Sequence, residues 1–233
     1  MNRIDEIAVI MPARDEAALI ERSVSGVDSA RAAAIRRLGA TAPNIRLVVV
    51  ADGCRDGSAR LARSSGLAEV IEIEPSGVAV ARRIGVDHVL QSTSLAPRRI
   101  WLAHTDADSA VSREWLIDQL SRAEEGADLV IGPVQPDFVD LTHFQVRAWQ
   151  ASHRHNQAHG HVHGANLGIR ASTYLDIGGF PLVDVGEDVA LVERARTAGA
   201  IVSISHRMVV TSGRRQGRVV GGYADYLALT LPL

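Results

Sequence analysis

Two aspartates separated by one residue follow a short apolar segment in the middle of the chain. The segment 100–104 predicts a buried strand, and Asp106 and Asp108 lie just beyond its end. In parallel sheets, this end of the strands forms the edge at which ligands bind. Two close carboxylates repel each other unless a cation or hydrogen-bond donors stabilise them, and hard divalent metals bind carboxylates together with substrate phosphates. The pattern indicates a metal-assisted phosphate site, although a turn or a helix cap explains Asp-X-Asp equally well.

Two earlier predicted strands also end in polar residues. Strand 7–11 leads into Pro12-Ala-Arg-Asp-Glu16, and strand 45–50 leads into Ala51-Asp-Gly-Cys-Arg-Asp-Gly-Ser58. Pro12 fixes the first turn and leaves the following amides free to face a ligand. Each loop alone is also explained as a connection from strand to helix. Three acidic strand ends at one sheet edge nevertheless favour a ligand site.

Composition limits the chemistry that the chain can perform. Its 233 residues predict one domain, and a net charge of −2 excludes bulk electrostatic attraction to nucleic acid or an anionic membrane. All 25 basic residues are arginine, which excludes a Schiff-base lysine and a phosphate-loop lysine. Any phosphate must therefore be held by arginine, by backbone amides or by a metal.

The sequence also limits the expected location of the protein. Cys54 is the only cysteine, which excludes an internal disulfide and favours the cytoplasm. The N-terminal residues lack the layout of a signal peptide, and no apolar run approaches the ~18 residues of a spanning helix. We therefore expect a cytoplasmic protein without a transmembrane segment, soluble or peripheral at the inner membrane face.

The segments that must position these residues alternate between strand and helix patterns. Continuous apolar strands indicate burial on both faces, and hence a parallel sheet flanked by helices. The predicted strands are 7–11, 45–50, 68–73, 100–104, 127–133, 201–204 and 208–211. The predicted helices are 16–38, 57–65, 77–91, 112–125, 138–159 and 186–198, followed by a weakly amphipathic tail.

Taken together and in this order, the motifs resemble those of family 2 glycosyltransferases, which have the GT-A fold. Residues 12–16 resemble the family's Pro-Ala-Tyr-Asn-Glu turn, and residues 51–58 resemble its Asp-Asp-Gly-Ser-x-Asp-Gly-Thr loop. The similarity covers residues 7 to about 211. It continues through Ala81-Arg82-Arg83, the Asp-x-Asp element at 106–108, Gly164-Ala-Asn166, Gly178-Gly-Phe180 and Gly186-Glu-Asp188.

The resemblance implies an α/β fold of GT-A type with a mostly parallel central sheet flanked by helices. Within a single domain, 1–233, a Rossmann-like nucleotide-binding half (about 1–109) would be fused to an acceptor half (about 110–211), with a tail at 212–233. It further implies transfer of a sugar from a UDP- or GDP-sugar to an unidentified acceptor hydroxyl. The transfer would use Mg²⁺ or Mn²⁺ and invert the anomeric centre.

The resemblance also assigns roles on the donor side. Asp52 would bind the nucleobase edge, as an ionised carboxylate can accept from an imide N–H. Arg82 would lie near the base or the diphosphate. Asp106 would contact the ribose or the metal, and Asp108 would ligate the metal. The other expected donor-binding residues are Pro12, Ala13, Arg14 and Glu16.

On the acceptor side, Asp188 resembles the catalytic base that takes the proton of the acceptor hydroxyl. Glu187 would support it or bind the acceptor, although an acidic pair at a helix start is also explained by the helix dipole. His206 resembles a late histidine that completes the metal site in some members of the family. The alternative is that His206 has a purely structural role. The expected sugar and acceptor pocket is shaped by Gly164, Ala165 and Asn166.

Three positions depart from the family pattern. Ala51 replaces the first aspartate of the Asp-Asp pair, Cys54 replaces a serine, and Arg14 stands where tyrosine is usual. Because Asp52 is retained, nucleotide binding is still expected, while the identity of the base stays open.

Two further clusters allow more than one interpretation. The arginines at 214, 215 and 218 either close over the diphosphate or form a solvated basic tail. Five histidines could supply paired imidazoles to zinc, belong to an acceptor loop or lie on the surface. They are His153, His155, His159, His161 and His163.

Two other functions are alternatives to a glycosyltransferase. A sugar-phosphate nucleotidyltransferase would also have an α/β sheet and a metal, but it normally carries a glycine-rich loop and a catalytic lysine, which this chain lacks. A non-catalytic nucleotide-sugar-binding protein would not need both Asp108 and Asp188.

Overall fold

The structure is a computed structural model that describes residues 2–153, 162–217 and 221–231. Its strands are β1 (Glu6–Ala13), β2 (Asn44–Asp52), β3 (Glu69–Ile73), β4 (Ile100–His104), β5 (Ser109–Ala110), β6 (Leu129–Ile131), β7 (Val134–Pro136), β8 (Leu167–Arg170), β9 (Val202–Ile204) and β10 (Val209–Thr211). Its α-helices are α1 (Ile20–Leu38), α2 (Ser58–Ser64), α3 (Val78–Ser92), α4 (Trp115–Glu124), α5 (His143–Ser152), α6 (Ala171–Asp176), α7 (Glu187–Thr197) and α8 (Tyr223–Thr230).

A seven-stranded sheet forms the centre of the molecule, in the order β3-β2-β1-β4-β8-β6-β9. Strand β8 runs antiparallel to both of its neighbours, and the other pairs are parallel. A smaller sheet has the order β5-β10-β7. The predicted α/β fold with a mostly parallel central sheet is confirmed.

Helices bury both faces of the central sheet, which explains the unbroken apolar strands. Every residue of β1 is buried, and its alternate side chains enter two separate cores. Ile7, Val9 and Met11 pack with α1 and α4. Ala8 and Ile10 pack on the other face with α3 and α7. Burial of apolar side chains on both faces is the expected driving force for this layered arrangement.

Glycine at position 85 lets α3 approach the sheet closely. A Cβ atom at Gly85 would lie 2.7 Å from Cγ2 of Ile10 and 3.1 Å from Cγ2 of Val50, closer than side chains pack. This contact holds the first turns of α3, which carry Arg82, against the ends of β1 and β2.

Strand register brings the polar loops to one edge. Ala13 at the end of β1 pairs with Ala51 of β2, and Ile10 pairs with His104 at the end of β4. Because β8 is antiparallel, its first residue, Leu167, also pairs with His104. The turn before β8 therefore meets the loops that follow the parallel strands.

The structure differs from the predicted elements in several places. Helix α1 begins at Ile20 rather than at residue 16, because residues 17–19 form a turn that ends at the N-cap Leu19, whose φ of −124° is not helical. Only residues 129–131 of the predicted strand 127–133 form a strand, β6, and no strand was predicted for β7 (134–136) or for β8 (167–170). A capping box of Thr142 and Gln145 starts α5, well inside the predicted helix 138–159.

Helix α8 lies in the predicted tail. Within the described ranges, no helix is both long and apolar enough to cross a membrane.

Candidate active site

A cavity of about 530 Å³ opens at the edge where the polar loops meet. The loops after β1, β2 and β4 form one wall. The turn before β8, the start of α7 and helix α8 form the other. Most of the predicted site residues line this cavity, namely Pro12, Ala13, Arg14, Glu16, Asp52, Arg82, Asp106, Asp108, Gly164, Ala165, Glu187 and Asp188.

Asn166, which was predicted to shape the pocket, is not among the residues that line the cavity. The residue is fully buried. Its Oδ1 accepts a hydrogen bond from Trp115 Nε1 at 2.9 Å, and its Nδ2 donates to the carbonyl oxygens of Pro133 and Arg207, both at 2.8 Å. Every polar atom of the amide is thus used to join β8 to its surroundings, so Asn166 supports the pocket from below.

His206 is the second predicted residue that the structure does not bring to the cavity. It lies exposed on the loop between β9 and β10 and does not line the cavity. The register of β10 explains this placement, since Thr211 is the residue that pairs with Ser109 beside Asp108. The late residues that reach the carboxylate are therefore Thr211 and Arg214, whose contacts are described below.

Asp52 and Arg14 form a fixed pair at one end of the cavity. The Asp52 carboxylate accepts the backbone N–H groups of Ser76 (2.6 Å) and Gly77 (3.1 Å). Arg14 Nη2 lies 2.8 Å from Asp52 Oδ2, and Arg14 Nε donates to the Asp52 carbonyl oxygen at 2.9 Å. The Asp52 side chain is only 5% exposed, whereas that of Arg14 is 32% exposed. Arg14 is the member of the pair that faces the open cavity.

Arg82 connects the two walls. Its Nη2 donates to Asp106 Oδ1 at 2.6 Å, and its Nε lies 3.5 Å from Glu187 Oε1. The guanidinium is almost fully buried, and its Nε and Nη1 atoms lack hydrogen-bond partners among the described residues. Buried donors without partners are costly. Arg82 thus brings a buried positive charge to the lining of the cavity, held between two acidic residues.

Asp108 lies in an acidic part of the cavity. Its Oδ2 is 2.9 Å from Arg214 Nη2, and its Oδ1 accepts hydrogen bonds from Ser109 and Thr211, both at 3.2 Å. Burial and, next in size, the charge of Asp106 raise the pKa of Asp108 to about 6. Glu16 also contributes repulsion, and it binds the same Arg214 guanidinium through two hydrogen bonds.

This set of side chains fits a divalent cation. The carboxylates of Asp106 and Glu16 lie close enough to disfavour the charged form of Asp108, and the Arg214 guanidinium already offsets the charge of Asp108 in part. Carboxylate oxygens are the ligands that Mg²⁺ and Mn²⁺ prefer. Asp106 and Asp108 would hold the ion, with the Thr211 hydroxyl adjacent to Asp108.

A second group of potential metal ligands connects two loops outside the cavity. Asp15, Cys54 and Asp56 form the one cluster in the described part of the chain that has three such atoms within 4.8 Å of one another. Asp15 Oδ1 accepts the N–H of Arg55 at 2.7 Å, and Asp56 Oδ2 accepts the N–H of Ala17 at 2.9 Å. These bonds join the loops after β1 and β2, and the cluster does not line the cavity.

The two acidic residues at the start of α7 differ in their environments. Asp188 Oδ2 accepts the backbone N–H of Gly164 at 2.7 Å, and its Oδ1 accepts the N–H of Val189 at 2.7 Å. Glu187 is buried beside Arg82, and burial raises its pKa. Asp188 is thus held in one orientation on the cavity wall, while Glu187 lies deeper.

Several cavity residues were not predicted. Tyr223 and Tyr226 of α8 close one side, and their rings stack with centroids 5.8 Å apart. The Tyr226 hydroxyl contacts His153 Nε2 at 3.2 Å. The weak amphipathicity of the tail was the only sequence signal for this wall. Further unpredicted lining residues are Val78, Val162, Val185, Val189, Thr211 and Ser212.

The structure describes part of the arginine cluster and part of the histidine cluster, for which the sequence allowed more than one interpretation. Arg214 enters the site, whereas Arg215 donates to the carbonyl oxygen of Ala228 at 3.1 Å. Arg218 lies outside the described residues. Of the five clustered histidines, His153 and His163 line the cavity, and His155, His159 and His161 lie outside the described residues.

A family model described as "Glycosyl transferase family 2" matches residues 8–174. This range includes the loops after β1, β2 and β4 as well as the turn before β8. A search of curated proteins finds no match.

Solved structures that resemble this fold include those of the following three proteins. Mannosyltransferase PcManGT from Pyrobaculum calidifontis, in complex with GDP-Man and Mn²⁺, is 20% identical with a TM-score of 0.63, and the match covers 92% of this chain and 59% of that one. S. aureus TarS 1–349 with UDP is 13% identical with a TM-score of 0.64, covering 89% and 61%. Glucosyl-3-phosphoglycerate synthase from Mycobacterium tuberculosis, in complex with Mn²⁺, UDP-Glc and phosphoglyceric acid, is 19% identical with a TM-score of 0.60, covering 97% and 78%. The chain thus spans about 60% of the first two proteins.

Proposed function

Because the chain belongs to glycosyl transferase family 2, we propose that it transfers a sugar from a UDP- or GDP-sugar to an acceptor hydroxyl. The transfer uses Mg²⁺ or Mn²⁺ and inverts the anomeric centre. The observation that carries the proposal is the position of Arg82, whose guanidinium contacts Asp106 on one wall and Glu187 on the other. The buried Arg82 guanidinium thus lies between the residues assigned to the donor and those assigned to the acceptor.

The donor lies along the first wall. Its base is placed against the Arg14–Asp52 pair, and its diphosphate extends toward Asp106 and Asp108. Arg82 holds a buried positive charge beside Asp106, and this charge favours the negative charge of the nearby diphosphate. A divalent cation held by Asp106 and Asp108 would neutralise the charge that develops on the departing diphosphate.

The acceptor enters from the second wall, beside Asp188. Its hydroxyl oxygen forms the new bond to the anomeric carbon as the bond to the diphosphate oxygen breaks, and Asp188 takes the hydroxyl proton. The Gly164 and Val189 amides fix the carboxylate in one orientation. Such fixed placement of the base lowers the entropic cost of reaching the transition state. The Tyr223 and Tyr226 rings limit the space on this side.

Calorimetry on the purified chain tests the proposal. UDP-sugars and GDP-sugars are titrated with Mn²⁺ present and again with EDTA. We expect at least one donor class to bind, and to bind more tightly with Mn²⁺. Absence of binding by both classes would contradict the proposal. Product analysis separates the alternatives, because glycosyl transfer releases a nucleoside diphosphate whereas a nucleotidyltransferase exchanges pyrophosphate.

A further inference from the structure

We propose that Arg14 reads the nucleobase of the donor and makes this protein selective for guanosine diphosphate sugars over uridine diphosphate sugars. The inference rests on the proposed function, because it concerns the base of the same donor. It starts from Arg14, which directly follows β1 and lines the cavity.

The Asp52 carboxylate is largely committed to protein donors. It accepts two backbone N–H groups, from Ser76 and Gly77, and one N–H of Arg14. A carboxylate offers about four acceptor positions in all. With three in use and the side chain 5% exposed, Asp52 acts mainly as a positioning residue that fixes Arg14.

Arg14 keeps one edge of its guanidinium available. Asp52 occupies the Nε and Nη2 edge, through its carbonyl oxygen and its Oδ2. The opposite edge carries one N–H of Nη1 and the second N–H of Nη2, which point in the same direction. Nη1 has no hydrogen-bond partner among the described residues, and Arg14 lines the cavity. The structure thus presents a rigid pair of parallel donors to a ligand.

Guanine matches this pair of donors better than the other bases do. Its O6 and N7 are adjacent acceptors on one edge, and a guanidinium binds both. Adenine places an amino donor beside N7, and cytosine offers an amino donor in place of a carbonyl. A uracil O4 has only a C–H neighbour and receives a single bond. Guanine therefore receives one more hydrogen bond from Arg14 than uracil does, and this bond favours guanine.

Calorimetry with GDP and UDP, in Mn²⁺, gives the first test. We expect GDP to bind about tenfold more tightly or better, since a bidentate base contact discriminates to that extent. UDP binding that is equal or tighter overturns this inference and leaves the proposed function in place. Failure of both nucleotides to bind overturns the proposed function and the inference with it.

A modified nucleotide tests the contact without altering the protein. 7-Deaza-GDP carries a carbon in place of N7 and keeps the rest of the guanine. We expect it to bind about tenfold more weakly than GDP, near the affinity of UDP. Equal binding of GDP and 7-deaza-GDP would show that the base is not read through this pair of donors.

Substitution of Arg14 tests the residue. Arg14→Met keeps the length of the side chain, and Arg14→Lys keeps the charge without the paired donors. In both variants we expect UDP still to bind, and the affinities for GDP and UDP to differ by no more than about threefold. UDP binding shows that the variants are folded. Arg63→Met is the matched control, because Arg63 pairs with Glu72 at an exposed position outside the cavity. A preference that survives in Arg14→Met overturns the proposal.

Discussion

Arg214 places its guanidinium directly against Asp108, with Nη2 2.9 Å from the carboxylate Oδ2. The same group makes hydrogen bonds of 2.7 and 2.6 Å to the two carboxylate oxygens of Glu16. A residue from the C-terminal segment thus brings a positive charge to the acidic part of the cavity. In the absence of ligand, this charge competes with a divalent cation for Asp108. Under the proposed function, the same arginine would be available to the diphosphate of the donor.

Replacing Arg214 by glutamine should therefore change two affinities in opposite directions. Mn²⁺ alone should bind more tightly, by roughly three- to tenfold, because a neighbouring cation has been removed. Binding of UDP or GDP should weaken by about tenfold through the loss of a charge-assisted contact. Calorimetric titrations of the metal and of the nucleotide measure the two effects. Arg215→Gln is the control, because Arg215 contacts backbone carbonyl oxygens of α8. A change of both affinities in the same direction would refute this account.

Asp108 should make the metal-free protein less stable as the pH rises. Its pKa in the folded state is raised to about 6 from an ordinary 3.8. Between these values the folded state holds a proton that the unfolded state has lost, so stability is greatest below the lower pKa and declines up to the higher one. The Asp108→Asn variant has no carboxyl group at this position and therefore lacks this titration. At pH 7.5 it should be more stable than the original chain by up to about 3 kcal/mol, and at pH 4 the two should be similar.

Urea unfolding with EDTA, at both pH values, measures the difference between the two proteins. Adding Mn²⁺ should raise the free energy of unfolding of the original chain and leave that of Asp108→Asn almost unchanged, because only the former binds the ion in its folded state. An identical pH dependence in the two proteins would contradict the role of burial at this carboxylate.

Asp188→Asn should separate catalysis from donor binding. An amide cannot take the proton of the hydroxyl, so kcat should fall by a factor of about 10² to 10⁴. The Kd of the donor should change little, because the donor residues lie on the other wall. Steady-state assays and calorimetry provide the two values. Asp176→Asn, an exposed change on α6, should affect neither. Full activity in the Asp188 variant would exclude it as the base.

Gly164→Ala should weaken donor binding through Arg82. The added Cβ would lie 2.4 Å from Nη2 and 3.0 Å from Cζ of a guanidinium that is nearly fully buried. The arginine must then move away from Asp106, and we expect about a tenfold loss of nucleotide affinity. Gly26→Ala is the matched control. Its Cβ approaches Val111 only to 3.4 Å, and alanine within a helix should add about 0.5–1 kcal/mol of stability.

The strand ends could be predicted because strongly apolar segments mark them. Asp52 is the last residue of β2 and Asp106 follows β4; both strands are buried on both faces, and such strands are parallel and share an edge. The site position of Arg82 could be predicted because Ala81-Arg82-Arg83 occurs between the other motifs in the order of the family that the chain resembles. For these residues, local pattern and global fold agree, and the position along the chain was enough to place the side chain in the cavity.

Other features depend on contacts that are distant in sequence. The segment of β8 is only four residues long, and its role as an antiparallel strand depends on pairing with β4 and β6. The placement of His206 depends on the register of β10, which no local pattern encodes. The position of Arg214 depends on Glu16, 198 residues away. Long-range pairing of this kind cannot be read from periodicity or from spacing.

The reversal of β8 has a consequence for how this scaffold can diversify. Because this one strand enters the sheet at the edge from which β1, β2 and β4 leave, the turn before it opposes the donor loops without being connected to them. We expect insertions or substitutions in that turn and in α8 to alter the choice of acceptor while the nucleotide loops stay intact. The two recognition tasks can thus evolve separately, constrained chiefly at the contact between Gly164 and Arg82.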